Sequence, residues 1–186
     1  MKPLILVKHS QSMLKPGTPP HLWQLSMEGE DRCKPLAEKL SQYTPEIIVS
    51  SQEAKASQTA DFVAKDLGLV NEVIEGLQEH NRSNEAFYDL TMYETKLRTL
   101  FTKPDELTFG LETANQARDR FSTAINVIQD RFANQTTVVI AHGTVITLYV
   151  SQIMEIDLYG FWEKLDMPAF VVISEGVVTE VVESVI

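Results

Sequence analysis

At 186 residues the chain has the length of one domain with a sizeable core, and its 44% hydrophobic and 23% charged residues are ordinary for a soluble globular protein. A net charge of -10 without a cluster of Lys and Arg argues against nonspecific binding to nucleic acid or to an anionic membrane. No apolar run reaches the roughly 20 residues that cross a bilayer, the single cysteine Cys33 excludes an internal disulfide, and the opening MKPLILVKHS reads as a core strand rather than a signal peptide, so a cytoplasmic protein is expected.

The first element is a short aliphatic strand, 4–7 (LILV), that ends abruptly in Lys8-His9-Ser10. Ser26 is placed to cap a helix on which Cys33, Leu36, Ala37 and Leu40 share one face, with Cys33 as a small buried hydrophobe. A second strand, 46–49 (EIIV), leads into a helix carrying Ala56, Ala60, Val63, Ala64 and Leu67 on one face. Ser50 and Glu53 have the spacing of a capping box before it, and Gly68 lies just past its end. Residues 83–103 form a polar, aromatic-containing insertion that is expected to be a helical cap ending near Pro104. Ala117, Phe121, Ala124, Ile128 and Phe132 mark a long amphipathic helix before the β-branched strand 136–141, which ends at His142. Tyr159, Phe161 and Trp162 read as core, with an interface as the alternative. Strands 169–174 and 177–182, separated by Glu175-Gly176, read as a hairpin. Strand–helix alternation then predicts a single three-layer α/β/α domain, 1–186, with a mostly parallel sheet and at least one antiparallel edge strand.

Ligands of such sheets collect at the carboxyl ends of the strands, which draws attention to His9 and His142, each following a strand directly. Their neighbours extend the pattern. Val7-Lys8-His9-Ser10-Gln11-Ser12, LSMEGEDRCKPLAEKL (25–40), IIVSSQEAKASQTADFVAKDLGL (47–69), Leu77-Gln78-Glu79 and VVIAHGTVI (138–146) occur in order over nearly the whole chain. Together they resemble the motifs of the histidine phosphatase, or phosphoglycerate mutase-like, superfamily.

The resemblance implies that fold and a chemistry. His9 would take a phosphoryl group onto a ring nitrogen, with its other nitrogen donating to a fixed acceptor that sets the tautomer. Glu79 would protonate the leaving oxygen and then activate water, and Lys8, Lys55, His142, Ser12 and Ser10 would surround the phosphate. No cofactor or metal is implied, and the partner is a small phosphorylated metabolite or a phosphoprotein. The superfamily's mutases are usually longer, so the resemblance favours hydrolysis. His80 and Arg82 follow Glu79 without firm family equivalents, as possible substrate contacts.

The departures bear on turnover. Where the family has two arginines in the phosphate pocket, this chain has Lys8 and Lys55, and Ser10 stands where the family has glycine. Arginine offers a planar fork to phosphate and lysine only a flexible point charge. Ser10 would be strained if its φ were positive, or else would supply another hydroxyl donor. Three functions follow: a phosphomonoesterase working through phospho-His9, a phosphate-binding or regulatory protein with attenuated turnover, or a metal site built from His9, His142 and Glu79. The sequence leaves oligomeric state and substrate open.

Overall fold

The computed structural model describes residues 2–85 and 89–186. Among them, six strands form one sheet in the order β3-β2-β4-β1-β5-β6. These are β1 (Leu4–Lys8), β2 (Ile47–Ser50), β3 (Asn71–Val73), β4 (Thr137–Ala141), β5 (Ala169–Ser174) and β6 (Val177–Val182). β1, β2, β3 and β4 pair in parallel, whereas β5 runs antiparallel to both β1 and the edge strand β6. Glu175 and Gly176 turn the β5–β6 hairpin with φ of 54° and 77°, the positive values that a tight two-residue turn needs.

Alternation along β1 explains the two layers of helices. Leu4 and Leu6 face a core shared with α5 (Ala114–Arg131) and α6 (Gly143–Val150), while Ile5 and Val7 face one shared with α2 (Cys33–Ser41) and α3 (Ala54–Leu67). Both central strands are therefore apolar on both sides. The helix faces read from the sequence are the buried ones, except that Leu67 and Phe132 lie at the margins.

The expected insertion is α4 (Leu90–Thr102) from residue 90 onward, started by Asp89, whose carboxylate accepts the Met92 N–H at 2.8 Å. Residues 86–88 of that expectation lie outside the described residues. Leu97, Leu100 and Phe101 anchor α4 in the same core as α5, and α7 (Leu158–Lys164) packs beside it. Tyr159 is buried there, whereas Phe161 and Trp162 are only partly covered.

Two local readings are corrected. β3 has no apolar signature, because a three-residue edge strand of Asn71, Glu72 and Val73 exposes most of its side chains. The Ser50–Glu53 capping box does not form: Ser50 belongs to β2, and Glu53 is itself the N-cap of α3, with no side-chain cap bond. Its carboxylate points elsewhere.

The short α1 (Met27–Asp31) ties the segment after His9 to the body. Ser26 caps it by accepting the Gly29 N–H at 3.0 Å, and the Gly29 carbonyl accepts the Ser10 hydroxyl at 2.7 Å. A Cβ on Gly29 would come to 2.0 Å from the Gln11 carbonyl oxygen, a backbone atom that has little freedom to yield. Gly29→Ala is expected to cost about 1–3 kcal/mol or more of stability, read as a lower urea midpoint at unchanged m.

Candidate active site

The sheet order places the ends of β1, β4 and β2 side by side. Lys8 is in register with Ala141, the His9 N–H donates to the Ala141 carbonyl at 3.0 Å, and the Ser51 N–H to Ile140 at 2.9 Å. His9, His142 and Ser51 thereby emerge at one edge of the sheet, with the two imidazole centroids 5.2 Å apart.

His9 is buried, and its Nδ1 lies 2.7 Å from the Ser10 carbonyl oxygen. A carbonyl only accepts, so Nδ1 carries the proton and Nε2 keeps its lone pair. Burial, followed by the neighbouring His142 and Lys55, pushes the His9 pKa well below the usual histidine value, so the ring is neutral near pH 7. A neutral, oriented imidazole is the state a nucleophile requires.

Glu79 is held at every polar atom. Its carboxylate accepts the His80 N–H at 2.8 Å and the Thr144 N–H, from the first turn of α6, at 3.1 Å. Its own N–H donates to Glu53 at 2.8 Å, and its carbonyl accepts from Arg120 at 3.1 Å. Arg120 also donates to the carbonyls of Gly76 and Gln78 and to the Glu112 carboxylate, so one guanidinium from α5 fixes the whole loop that carries Glu79. Sequence patterning offered no signal for Arg120, which lies more than 40 residues away.

Each lysine is already engaged. Lys8 Nζ donates to the Leu165 carbonyl at 2.5 Å and lies 5.7 Å from the Trp162 ring centroid. Burial lowers its pKa to about 8, with Glu79 and Asp166 opposing. Lys55 Nζ donates to Glu53 at 2.7 Å and to the Pro20 carbonyl at 2.9 Å, and both members of this ion pair are almost fully buried. Glu53, which the sequence offered as the capping-box partner of Ser50, is thus a site residue, lying also 3.8 Å from His142 Nε2. Burial would raise the Glu53 carboxyl, yet the neighbouring His142 and Lys55, helped by the Lys55 and Glu79 hydrogen bonds, hold it well below the usual carboxylate range.

His142 is fully buried, with Nε2 2.9 Å from Ser51 Oγ and Nδ1 without a hydrogen-bond partner among the described residues. Its pKa is lowered, chiefly by burial. Ser51 Oγ also accepts the Glu53 N–H at 3.2 Å, so this hydroxyl bridges His142 and the start of α3.

Ser10 corrects both readings offered for it. Its φ is not positive, so it carries no left-handed strain. Its hydroxyl hydrogen goes to the Gly29 carbonyl and its N–H to Thr59 Oγ1, which leaves neither donor for a phosphate. Ser12 does line the site.

Two cavities meet here. One, of about 240 Å³, is walled by Lys8, His9, Ser12, Glu79, Tyr93 and Trp162, with Trp23 and Met167 adding apolar surface. The other, of about 720 Å³, is lined mostly by polar residues, among them His21, Gln24, Gln52, Gln78 and Asn81. Lys55, Glu79 and Arg82 line both. The loop 13–24 and α4 supply rim residues, among them Leu14, Pro20, Leu90 and Tyr93. His80 borders the polar cavity, but its Nε2 is bound to the Glu112 carbonyl at 2.8 Å and its ring rests on Phe109. Among the described residues, no three His, Cys, Asp or Glu side chains are grouped to hold a metal ion, so the three-ligand reading lacks its geometry.

Residues 4–175 match the family described as the histidine phosphatase superfamily (branch 1). Phosphoserine phosphatase 1 of Hydrogenobacter thermophilus is 28% identical over 172 residues, covering 87% of this chain and 81% of that protein. Among solved structures, a phosphoserine phosphatase of Entamoeba histolytica in complex with 3-phosphoglyceric acid is 17% identical, with a TM-score of 0.80 over 99% of this chain and 98% of that one. A mycobacterial glucosyl-3-phosphoglycerate phosphatase is also 17% identical, with a TM-score of 0.72 over 92% and 89%. At these identities the structural likeness speaks for a shared fold alone.

Proposed function

Since the chain belongs to the histidine phosphatase superfamily (branch 1), we propose that it is a phosphomonoester hydrolase acting on a small phosphorylated metabolite through a phosphohistidine at His9. The observation that carries this reading is the fixed tautomer of His9: Nδ1 is committed to a backbone carbonyl, and Nε2 is the free nucleophilic nitrogen of a ring lining the smaller cavity. A phosphorylated amino acid or acid of the kind named for the relatives suits the cavity sizes.

The chemistry proceeds in two steps. Nε2 of His9 attacks phosphorus, the P–N bond forms, and the ester P–O bond breaks as Glu79 gives its proton to the leaving oxygen. Glu79, now a carboxylate, takes a proton from water. The resulting hydroxide attacks the phosphohistidine, and the P–N bond breaks to return inorganic phosphate and neutral His9. His142 and the two lysines face the charge that develops on the phosphoryl oxygens.

The lysines at 8 and 55 are read here as replacements for the superfamily's arginines. Each loses one charge-assisted hydrogen bond to phosphate relative to a fork, about 1.5–3 kcal/mol or roughly 10- to 100-fold in rate. This supports a second reading, a phosphate-binding protein with little turnover, which is favoured by the commitment of Lys8 to Leu165 and of Lys55 to Glu53.

The deciding experiment incubates wild type and His9→Ala with a panel of phosphate monoesters and traps the phosphoenzyme. Acid-labile label on the wild type and none on His9→Ala supports hydrolysis. Ester binding with neither label nor turnover overturns it in favour of the binding protein.

A pH dependence follows from the same geometry. Lys8 is charged below about 8 and loses its proton above, so kcat/KM should fall as pH rises through about 8. His9 stays unprotonated until well below its usual range, so the acid limb should not begin near 6.5. Lys8→Arg should move the alkaline fall to higher pH in a kcat/KM profile, and an unmoved limb would assign it to another group.

A further inference from the structure

The two lysines leave the site without an available fork of donors, yet one guanidinium stands at the junction of the two cavities. Arg82 lines both, and it shares that position only with Lys55 and Glu79, residues of the reaction centre. The other arginines are engaged away from the cavities. Arg32 binds the Met167 carbonyl and Glu28, Arg98 stacks on Tyr159, Arg118 and Arg131 pair with Asp119 and Glu72, and Arg120 holds the Glu79 loop.

Arg82 is held in place without losing its donors. Its Cζ lies 4.0 Å from the centroid of Tyr93 on α4, a cation–π contact that consumes none of its N–H donors. Among the described residues those N–H groups make no hydrogen bond or ion pair. The chain just before it is braced: the Asn81 N–H donates to Glu112 at 2.8 Å, and the Asn81 carbonyl accepts the Leu111 N–H at 2.7 Å. Behind Tyr93 comes Trp162, with ring centroids 5.9 Å apart, and Lys8 lies against Trp162. The smaller cavity thus has a wall that runs from Lys8, the chain neighbour of His9, through Trp162 and Tyr93 to Arg82, three residues after Glu79.

We propose that Arg82 is the phosphoryl-gripping arginine of this site, supplying from the loop after Glu79 the forked contact that Lys8 and Lys55 do not. This rests on the phosphatase reading of the same site, and it assigns Arg82 to the transferring group rather than to the leaving group. Lys8 and Lys55 then supply charge, while Arg82 supplies two directed hydrogen bonds to phosphoryl oxygens. An arginine that lines the same cavities as the acid also adds positive charge where negative charge develops in the transition state.

The test compares wild type, Arg82→Met, which keeps the stem over Tyr93, and Arg82→Lys. Substrates are p-nitrophenyl phosphate, which has no anionic group besides the phosphoryl, and phosphoserine, which has a carboxylate. Orthophosphate binding is measured by calorimetry on the same proteins. Arg82→Met is expected to lower kcat/KM about 10- to 100-fold on both esters and to weaken orthophosphate binding, with Arg82→Lys restoring only part. A loss confined to phosphoserine would overturn the proposal and make Arg82 a reader of the leaving group's carboxylate. Unchanged kinetics and orthophosphate binding would overturn it in favour of a packing role on Tyr93. If wild type forms no phosphohistidine, the hydrolase reading fails by itself, and the orthophosphate series still decides the role of Arg82.

Discussion

Replacing Glu79 by glutamine should lower kcat on alkyl phosphates by about 10²- to 10⁴-fold, the range general acid–base groups contribute. An alkoxide is a poor leaving group, so formation of the phosphohistidine needs the proton that glutamine does not give. Hydrolysis of the intermediate needs the base that glutamine is not. With p-nitrophenyl phosphate the two steps separate, because the phenolate leaves without a proton. The Glu79→Gln enzyme should then release a burst of p-nitrophenol, accumulate label on His9 and turn over slowly. Glutamine keeps a carbonyl for one of the two N–H groups that meet this side chain, from His80 and Thr144, but presents an amide NH₂ to the other. Thermal unfolding therefore accompanies the kinetics, so that a loosened loop is not mistaken for lost acid chemistry. A rate on alkyl phosphates within about threefold of wild type, in a folded protein, would remove Glu79 from the mechanism.

The parts of this site that are legible in the sequence are those that depend on sheet topology. Buried parallel strands are continuous β-branched runs, and their carboxyl ends are where ligands bind, so strand patterning alone pairs His9 with His142 across more than 130 residues. What the sequence did not show depends on where long side chains turn. Ser50 and Glu53 have capping-box spacing, but Ser50 is held in β2 by pairing with Ile140 and Val73, and Glu53 turns toward Lys55. A clue was present: Glu53 stands two residues before Lys55 in the segment that resembles the superfamily's second motif. A buried acid beside a basic residue is rarely accidental, since each would be costly alone. Arg120 left no comparable trace, because one polar residue on a long helix reads as surface until the loop it grips is folded against it. Ser10 shows the reverse error. A hydroxyl beside His9 invites a substrate role, but α1 approaches so closely that the Gly29 carbonyl accepts its hydrogen bond.

Glu53 carries the prediction with the widest consequences. Glu53→Leu leaves Lys55 buried with, among the described residues, only the Pro20 carbonyl as a hydrogen-bond partner of its ammonium group. It also leaves the Glu79 N–H without its acceptor. Removing one partner of a buried ion pair costs about 3–5 kcal/mol, and for a chain of this length that is a fall in Tm of roughly 6–20 °C. The sign with pH is fixed by the direction of the Glu53 shift. A carboxyl held below its usual range contributes stability that is complete above that range and is lost as pH falls through the folded pKa, so the gap between wild type and Glu53→Leu should narrow in acid. Binding should move the other way. In the wild type the Glu53 carboxylate occupies Lys55 and presents negative charge to an incoming phosphoryl group. Without it, Lys55 is a buried cation in need of an anion, and orthophosphate can fill that role. Orthophosphate should bind the variant more tightly and raise its Tm by more than it raises that of wild type. Loss of stability with unchanged orthophosphate affinity would mean that the pair is structural and that Lys55 does not meet phosphate. Loss of stability with tighter binding would mean that a resident carboxylate holds this phosphate site below its full affinity, and that turnover depends on the competition between the two anions for Lys55.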